Sequence, residues 1–334
     1  MALLDVRDLK IAFYDTTPPT EVVKGISFSL EEGETLGIVG ESGSGKTQTA
    51  LSILHLLKEN SAVSGGEILY EDSSVAHASS QDLQRIRGKE ISMIFQEPMI
   101  SLNPVLTIEE QIAEGLLIHE SCTPAERHEK VLAIMHEVEL PDPEKLCKKY
   151  PHQLSGGQRQ RVMIAAALIT EPKLLIADEP TTSLDVTVQA QILELLQQMK
   201  LKSGVAVLLI THNLGIVAKA ADRLVVMYGG EVVEQGSSMD IFYRARHPYT
   251  WALINAVPRI DVKLEEELTT IEGTPPDLIQ PPTGCVFHPR CPYCMEICRK
   301  RKPQVTADGE HISFCWLNHS MAPKVEIPIR QERE

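Results

Sequence analysis

Residues 35–47 read TLGIVGESGSGKT, and they give the clearest indication of the fold. Its first part is a short apolar run ended by glycine, which predicts a strand, and the residues after Thr47 have helical spacing. Between them, Gly40 to Thr47 fits the pattern G-x-x-x-x-G-K-[ST] in the context that this motif requires. Its glycines let the backbone form a nest of amide groups at a helix N-terminus, where positive potential favours anions. The stretch predicts a phosphate-binding loop (P-loop) and a bound nucleotide.

Two side chains of the P-loop have expected roles. Lys46 should reach the β and γ phosphates as a point charge, and the Thr47 hydroxyl should ligate magnesium. A chance glycine-rich turn is the alternative, and the flanking strand and helix disfavour it. The nucleotide-binding residues expected in this segment are Gly40, Ser42, Gly43, Ser44, Gly45, Lys46, Thr47 and Gln48.

A P-loop needs a carboxylate for its metal, and residues 173–180 (KLLIADEP) supply two at the end of an apolar run. Asp178 would hold magnesium, directly or through water, and Glu179 would polarise the attacking water. The alternative is that both acids only cap the end of a strand before a turn. The P-loop upstream favours the catalytic interpretation.

Gln96, which closes EISMIFQ, and His212, which follows VAVLLIT, are further catalytic candidates. Because the ends of neighbouring parallel strands converge on one crevice, His212 could hydrogen-bond the γ phosphate or orient the water. Gln96 could reach the metal and the water. A lone histidine at a strand end is more often structural, and only the neighbouring site favours the catalytic role.

A second glycine motif, LSGGQ, occupies residues 154–158. Ser155 can cap a helix that begins here, and the amides of Gly156 and Gly157 would face an anionic group. One chain with two such loops could bind two anions, or each loop could hold half of a shared one across a dimer.

Length and composition exclude several classes of protein. The 334 residues allow one large domain and a smaller appendage. The formal charge of −14, from 32 basic and 46 acidic residues, argues against a nucleic-acid partner. The longest apolar run, Val162 to Ile169, is far shorter than the ~20 residues that span a bilayer. The N-terminus lacks the pattern of a signal peptide, so we expect the protein to stay in the cytosol.

Apolar runs alternate with helical patterns, which predicts βαβ units and a parallel sheet in an α/β fold. Residues 1–240 are expected to form a nucleotide-binding domain with a helical insertion at about 97–160. Beyond a hairpin that turns at Gly229 and Gly230, prolines and then cysteines accumulate. Residues 241–334 are therefore expected to form a small Cys-rich C-terminal domain.

Residues 1–240 resemble the ATP-binding cassette (ABC) family. The motifs GESGSGKT, the glutamine Gln96, LSGGQ, LIADE, SLD and THN occur in the family order. The resemblance implies a P-loop NTPase fold with an antiparallel β subdomain, a helical subdomain, and two subunits paired head to tail around two ATP molecules.

This resemblance also implies roles for residues outside the P-loop. Asp185 would connect the two sites, and the aromatic that stacks on adenine falls on Phe13, with Tyr14 as a close rival. The γ phosphate held by the partner's P-loop would be contacted by Ser155, Gly156, Gly157 and Gln158.

Almost the whole chain resembles the ATPase subunits of bacterial dipeptide, oligopeptide and nickel importers, through residues 93–104, 247–258, 273–278 and 281–292. The likeness implies uptake driven by ATP hydrolysis, two separate transmembrane permease subunits, an external solute-binding protein and a second, different ATPase subunit. It places the chain peripherally on the cytoplasmic face of the inner membrane. The cargo stays open among dipeptides, oligopeptides, nickel chelates and antimicrobial peptides.

Two other classes of function are weighed against this one. A soluble ABC-type ATPase acting on nucleic acid or ribosomes commonly has two cassettes, a long coiled coil or large insertions, and this sequence shows one cassette and no sustained heptads. A binding module with an inactive ATPase would have lost Lys46, Glu179 or His212, and all three are present.

Five of the seven cysteines fall in one short segment with the spacing C-x5-C-x2-C-x3-C-x16-C, beginning at Cys285. In a reducing compartment such crowding indicates metal ligation before disulfides, and four thiolates suffice for zinc or for a [4Fe-4S] cluster. The importer resemblance implies a [4Fe-4S] cluster and makes Cys294 the extra thiol, although its C-x2-C spacing from Cys291 leaves it open as a substitute ligand. Zinc and free buried thiols are the alternatives to the cluster. The ligands expected are Cys285, Cys291, Cys298 and Cys315.

Overall fold

The computed structural model describes residues 2–97, 101–182, 184–257 and 271–328. These residues divide into two compact units. The helical unit comprises Leu30–Glu34 and Val75–Ile210, and the P-loop unit comprises Ala2–Ser29, Thr35–Ser74 and the chain from Thr211 onward.

The strands and helices alternate along much of the chain. In chain order the strands are β1 Leu4–Phe13, β2 Thr20–Leu30, β3 Thr35–Val39, β4 Ser61–Tyr70, β5 Ser73–Ser74, β6 Ile91–Ile94, β7 Leu174–Asp178, β8 Ala206–Thr211, β9 Arg223–Tyr228, β10 Glu231–Ser237, β11 Thr306–Asp308 and β12 His311–Ser313. The α-helices are α1 Lys46–Ile53, α2 Ser80–Ile86, α3 Ile108–His119, α4 Pro124–Glu137, α5 Pro143–Leu146, α6 Gly156–Leu168, α7 Val186–Ser203, α8 Leu214–Ala220, α9 Ser238–Tyr243, α10 Pro248–Asn255 and α11 Glu296–Lys300.

The P-loop unit contains two groups of paired strands. One is an antiparallel sheet in the order β2-β1-β4-β5. In the other, β3 pairs in parallel with β9, which continues antiparallel through β10 to the hairpin of β11 and β12. Residues near the C-terminus thus extend the same sheet that carries β3, the strand leading into the P-loop.

The helical unit is built around the parallel strands β6, β7 and β8, of which β7 and β8 are buried along their whole length. Helix α6 packs against β6 and α3, and α4 packs against α3 and α6. Helices α3 and α4 start at capping boxes on Thr107 and Thr123, whose side chains accept hydrogen bonds from the Glu110 and Glu126 amides. The two caps mark where α3 and α4 begin.

The predicted α/β fold with parallel strands and a separate antiparallel sheet is confirmed, as is the hairpin between β9 and β10. Strand β4, which contains two adjacent glycines, Gly65 and Gly66, was not predicted from the sequence. The boundary near residue 240 and a separate Cys-rich domain stay predictions. Within the described residues, every helix is too short or too polar to cross a bilayer.

Candidate functional site

The P-loop connects the fully buried strand β3 to helix α1, as the sequence predicts. A Cβ atom at Gly40 would lie 2.1 Å from the Met227 carbonyl oxygen, so only glycine fits. Gly45 caps α1 with a left-handed φ of 97° and contributes no capping side chain. The first amides of α1 therefore have no side-chain cap and can donate to an anionic ligand.

Lys46 is buried within this loop, with 5% of its surface exposed. Its Nζ atom donates to the carbonyl oxygens of Gly40 at 2.8 Å and Glu41 at 2.9 Å. These bonds hold the ammonium group inside the nest, where a triphosphate would meet it.

The residues after Lys46 offer oxygen atoms suited to magnesium. The side chain of Thr47 carries a hydroxyl at the start of α1, and the Oε1 atom of Gln48 is buried without a hydrogen-bond partner in the described structure. Hydroxyl and amide oxygens belong to the ligand types that magnesium accepts, so this end of α1 fits a Mg-nucleotide.

Asp178 and Glu179 lie where β7 ends, in the helical unit. Asp178 is 2% exposed, and Glu179 has a left-handed φ of 47°, which is rare for a residue with a side chain. The Glu179 amide donates to the Ile210 carbonyl oxygen at 2.8 Å, which fixes this turn against β8. Strained backbone of this kind is concentrated at functional sites.

The carboxylate of Glu179 is oriented by two neighbours. Its Oε2 atom accepts hydrogen bonds from Gln96 Nε2 at 3.0 Å and from Thr182 Oγ1 at 2.8 Å. The structure therefore brings Gln96 and Glu179 together, two residues that were each predicted to be catalytic. Thr182 was missed, and its only sequence signal is its position just after the acidic pair.

For His212 and for the expected magnesium ligands, the structure shows only their local positions. His212 is exposed directly after β8, and the side chain of the next residue, Asn213, caps α8. Lys46 and Thr47 belong to the P-loop unit and Asp178 to the helical unit, so a joint magnesium site stays a prediction.

The second glycine loop starts α6 as predicted. Ser155 caps the helix by accepting a hydrogen bond from the Gln158 amide at 3.3 Å, while its own amide donates to Gln158 Oε1 at 3.1 Å. Ser155 is exposed, and Gly156 and Gly157 are half-buried. The predicted cap is confirmed, and the loop presents its surface to solvent.

Phe13, or its rival Tyr14, was expected to stack on adenine, and Asp185 was expected to connect the two ATP sites. Phe13 is the half-buried last residue of β1, whereas its rival Tyr14 is 54% exposed. Asp185 caps α7, accepting a hydrogen bond from the Val188 amide at 3.0 Å. Ser183, the first residue of the SLD motif, lies outside the described residues.

The C-terminal cysteines are reduced and close enough to influence one another. Burial raises the pKa of Cys285 to about 11 and of Cys291 to about 12, and it also raises those of Cys298 and Cys315. Thiolates at Cys285, Cys291 and Cys298 would raise the pKa of Cys315 further. Cys294 acts electrostatically on Cys291 and Cys298, and its Sγ atom donates to the Met295 carbonyl oxygen at 3.5 Å.

This cysteine group does not form a ready metal site. Across the described ranges, no three His, Cys, Asp or Glu side chains form a group able to hold a metal ion. The predicted [4Fe-4S] cluster, like its zinc alternative, is therefore not supported by the arrangement of these side chains.

Comparison with sequence families gives three matches, two of which follow the predicted order along the chain. The model described as ABC transporter matches residues 23–182, and the one described as Oligopeptide/dipeptide transporter, C-terminal region, matches residues 233–298. A third, described as AAA domain, putative AbiEii toxin, Type IV TA system, matches residues 148–218.

Individual relatives extend over nearly the whole chain. The dipeptide transport ATP-binding protein DppD of Bacillus subtilis (strain 168) is 48% identical over 96% of both chains. The oligopeptide transport ATP-binding protein OppD of Escherichia coli (strain K12) is 48% identical over 90% of this chain and 89% of its own.

Solved structures agree on the fold. A dimeric ATP-binding cassette in a post-hydrolysis state, bound to ADP and Pi, covers 70% of this chain and 98% of its own, with a TM-score of 0.64 and 27% identity. This likeness confirms the predicted P-loop ABC ATPase fold. Taken with the relatives, it shows that the chain belongs to the ABC transporter ATP-binding proteins that carry the oligopeptide/dipeptide transporter C-terminal region.

Proposed function

We propose that this chain binds and hydrolyses ATP to energise the uptake of dipeptides or oligopeptides through separate membrane subunits. The observation that carries the proposal is the 48% identity, over 96% of both chains, to a protein named for dipeptide transport. The buried Lys46 and the oriented Glu179 supply the machinery for ATP hydrolysis. A nickel or other small-solute importer is the alternative cargo class, and the formal charge of −14 disfavours nucleic acid.

The partners follow from the same proposal. The chain would pair with a second, different ABC ATPase subunit and contact two transmembrane permease subunits, which an external solute-binding protein supplies with cargo. It would sit peripherally on the cytoplasmic face of the inner membrane. Deleting the chain from its host should abolish uptake of a labelled dipeptide and spare nickel uptake, and the reverse result would identify the alternative cargo.

The chemistry assigned to the chain uses its own side chains at each step. Lys46 and the amides of the P-loop bind the phosphates of the substrate ATP, and Glu179 holds and polarises the attacking water. Magnesium, when bound near Thr47, would neutralise charge on the β and γ phosphates. Gln96 and Thr182 keep the Glu179 carboxylate in one orientation through their hydrogen bonds.

The Ser155 loop completes the site from a second molecule. Its exposed surface and its distance in sequence from the P-loop suit a contact with ATP held by a partner ATPase. The related cassette bound to ADP and Pi is dimeric, which supports this arrangement. ATP would thus close the pair, hydrolysis would allow it to open, and the helical unit would transmit this motion to the permease.

Glu179→Gln tests the catalytic assignment. Because the amide cannot accept the proton of the attacking water, ATP turnover should fall by about a hundredfold or more, while ATP binding persists and a closed dimer accumulates. The matched control is Glu171→Gln, which changes an exposed glutamate with a similar left-handed φ of 53°. Normal turnover in Glu179→Gln would remove Glu179 from the mechanism.

We also propose Cys285, Cys291, Cys298 and Cys315 as ligands of a [4Fe-4S] cluster, with zinc as the alternative. The support is that these four thiols are buried or half-buried in one segment of the C-terminal region, and that charges on Cys285, Cys291 and Cys298 would act on Cys315. Loading would have to draw the thiols together and remove their protons. Anaerobic purification should give a coloured protein with iron and sulfide, and a colourless protein with stoichiometric zinc would reject the cluster.

A further inference from the structure

Glu41, the second residue of the P-loop, is anchored through three of its groups. Its amide donates to the hydroxyl of Tyr249 at 2.9 Å, and its carbonyl oxygen accepts from Lys46 Nζ at 2.9 Å. Its carboxylate accepts a hydrogen bond from Arg290 Nη1 at 2.7 Å. Two of these three anchors come from the region after residue 240, far from the P-loop in sequence.

Arg290 is fixed by more than this ion pair. Its side chain is 6% exposed, and Nη1 also donates to the Tyr228 hydroxyl at 3.2 Å. Its Nε and Nη2 atoms donate to the carbonyl oxygens of Glu272 and Ile271, each at 2.9 Å. A guanidinium group has five N–H donors on three nitrogen atoms and can make all four bonds at once, whereas the ammonium group of a lysine has only three donors.

Tyr249 belongs to a buried aromatic cluster, and Arg290 contacts the same cluster through the Tyr228 hydroxyl. The rings of Tyr228, Tyr249 and Phe287 are at most 1% exposed, and their centroids lie 4.5 to 5.3 Å apart. Burial raises the pKa of Tyr249, so its hydroxyl stays protonated and keeps accepting the Glu41 amide. Burial alone would lower the pKa of Arg290, but its bonds to Glu41 and Tyr228 raise it, so the guanidinium stays charged.

The charge of Glu41 gives these contacts a role in ligand binding. A carboxylate within the P-loop repels the negative phosphates of ATP, and the repulsion is strongest where water is excluded. Arg290 cancels this charge, and Tyr249 turns the Glu41 amide toward itself. Together they fix the turn whose carbonyl oxygens orient Lys46.

We propose that Arg290 and Tyr249 are positioning residues for ATP binding, which hold Glu41 in place and neutralise it beside the phosphates. The oligopeptide/dipeptide C-terminal region thereby becomes part of the ATP site. The proposal rests on ATP binding at the P-loop, and the wild-type protein tests that premise separately.

The test measures Mg-ATP affinity and steady-state ATP hydrolysis in the intact chain. Arg290→Ala should raise both Kd and KM about tenfold, because an unpaired carboxylate then faces the phosphates, while kcat changes little. Adding Glu41→Gln to this variant should restore most of the affinity, since the repelling charge is gone. Loss of stability alone would not produce such a rescue.

The matched control is Arg246→Ala. Arg246 lies in the same C-terminal region and pairs with Asp308 at 2.6 Å, outside the P-loop, so its loss should leave Kd for ATP unchanged. Thermal unfolding is followed for every variant. If Arg290→Ala does not fold, Tyr249→Phe decides, since it keeps the ring and removes only the hydroxyl that binds the Glu41 amide.

Three results would overturn the proposal. They are wild-type affinity in folded Arg290→Ala, no recovery in the double variant, and wild-type affinity in Tyr249→Phe when the arginine variant cannot be folded. Failure of the wild-type chain to bind Mg-ATP would instead overturn the proposed function, so the two failures are distinguishable.

Discussion

Two helices of this chain begin at glycine-containing loops, and the loops are built in opposite ways. The P-loop before α1 is closed around a buried lysine, and its cap, Gly45, leaves the helix amides without a side-chain partner. The loop before α6 is exposed, and Ser155 and Gln158 already satisfy each other's amides.

The difference shows how similar glycine motifs can serve unequal purposes. The P-loop has its own cation and a helix start without a side-chain cap, so it can bind a triphosphate within one chain. In the Ser155 loop, the amides of Ser155 and Gln158 already donate hydrogen bonds within the loop, and the loop contains no lysine. It suits a contact that tightens a ligand already held by another molecule.

The largest effect should come from removing the charge of the P-loop. Lys46→Ala should weaken Mg-ATP binding by about a hundredfold or more, about 3 kcal/mol, because the buried phosphates lose their cation. Lys24→Ala is the control, since Lys24 also donates to a carbonyl oxygen, that of Gly229 at 3.0 Å. Mg-ATP affinity is measured by calorimetry. Equal affinities for the two variants would show that Lys46 is not the cation that binds the phosphates, and this difference between the two loops would be lost.

A smaller effect should follow from crowding the backbone of each loop. Gly40→Ala forces a Cβ atom toward the Met227 carbonyl and should cost about 2 kcal/mol of stability as well as ATP affinity. Gly156→Ala places its Cβ at an ordinary 3.4 Å from Leu184 and should leave both unchanged in the single chain. Denaturant unfolding and ATP titration check the pair, and equal sensitivity would show that both loops need glycine alike.

Ser155→Ala should separate binding from turnover. A single chain should keep its ATP affinity, while the assembled ATPase pair should lose about tenfold in turnover, about 1.4 kcal/mol. Thr123→Ala removes a similar capping box on α4, so it controls for the loss of about 1 kcal/mol of helix stability. The assignment fails if both variants lower turnover equally.

The smallest expected effect is a loss of folding stability at mildly acidic pH, which arises at His247, near the P-loop anchor Tyr249. His247 caps α10, the helix that carries Tyr249, and burial lowers its pKa from 6.5 to about 3. As the pH falls below 6.5, the unfolded chain gains a proton that the folded chain does not, so stability falls. The loss between about pH 8 and about pH 6 should be about 1 kcal/mol.

His247→Asn should remove this part of the pH dependence, because the amide oxygen can still accept the Tyr249 amide proton at the helix start. Comparing the free energies of unfolding at the two pH values measures the effect. An unchanged pH dependence in the variant would exclude His247 as the titrating group.

Local patterns carried the predictions that the structure confirms. A glycine nest, a Ser cap and an apolar strand before Asp178 are each written in a few adjacent residues, so the sequence predicts them. Strand β4 was missed because Gly66 interrupts its pattern, and the structure shows why it is there, since a Cβ atom would lie 2.2 Å from the Asp8 carbonyl oxygen.

Long-range contacts were beyond the sequence analysis. Arg290 and Glu41 are 249 positions apart, and neither stands in a pattern that names the other. The convergence of Gln96 on Glu179 was predictable only because parallel strands end at one edge. Its partner Thr182 depends on the turn after β7, whose left-handed Glu179 has no signature in the sequence.

The hairpin of β11 and β12 has a consequence for the behaviour of the protein in solution. It lies along β10, where Glu234 and Gln235 pair with Ser313 and Ile312, and it leaves the three-residue strand β11 outermost. A short outer strand offers few unpaired backbone groups to another polypeptide. A truncation that removed the hairpin would expose β10 and invite aggregation by strand addition.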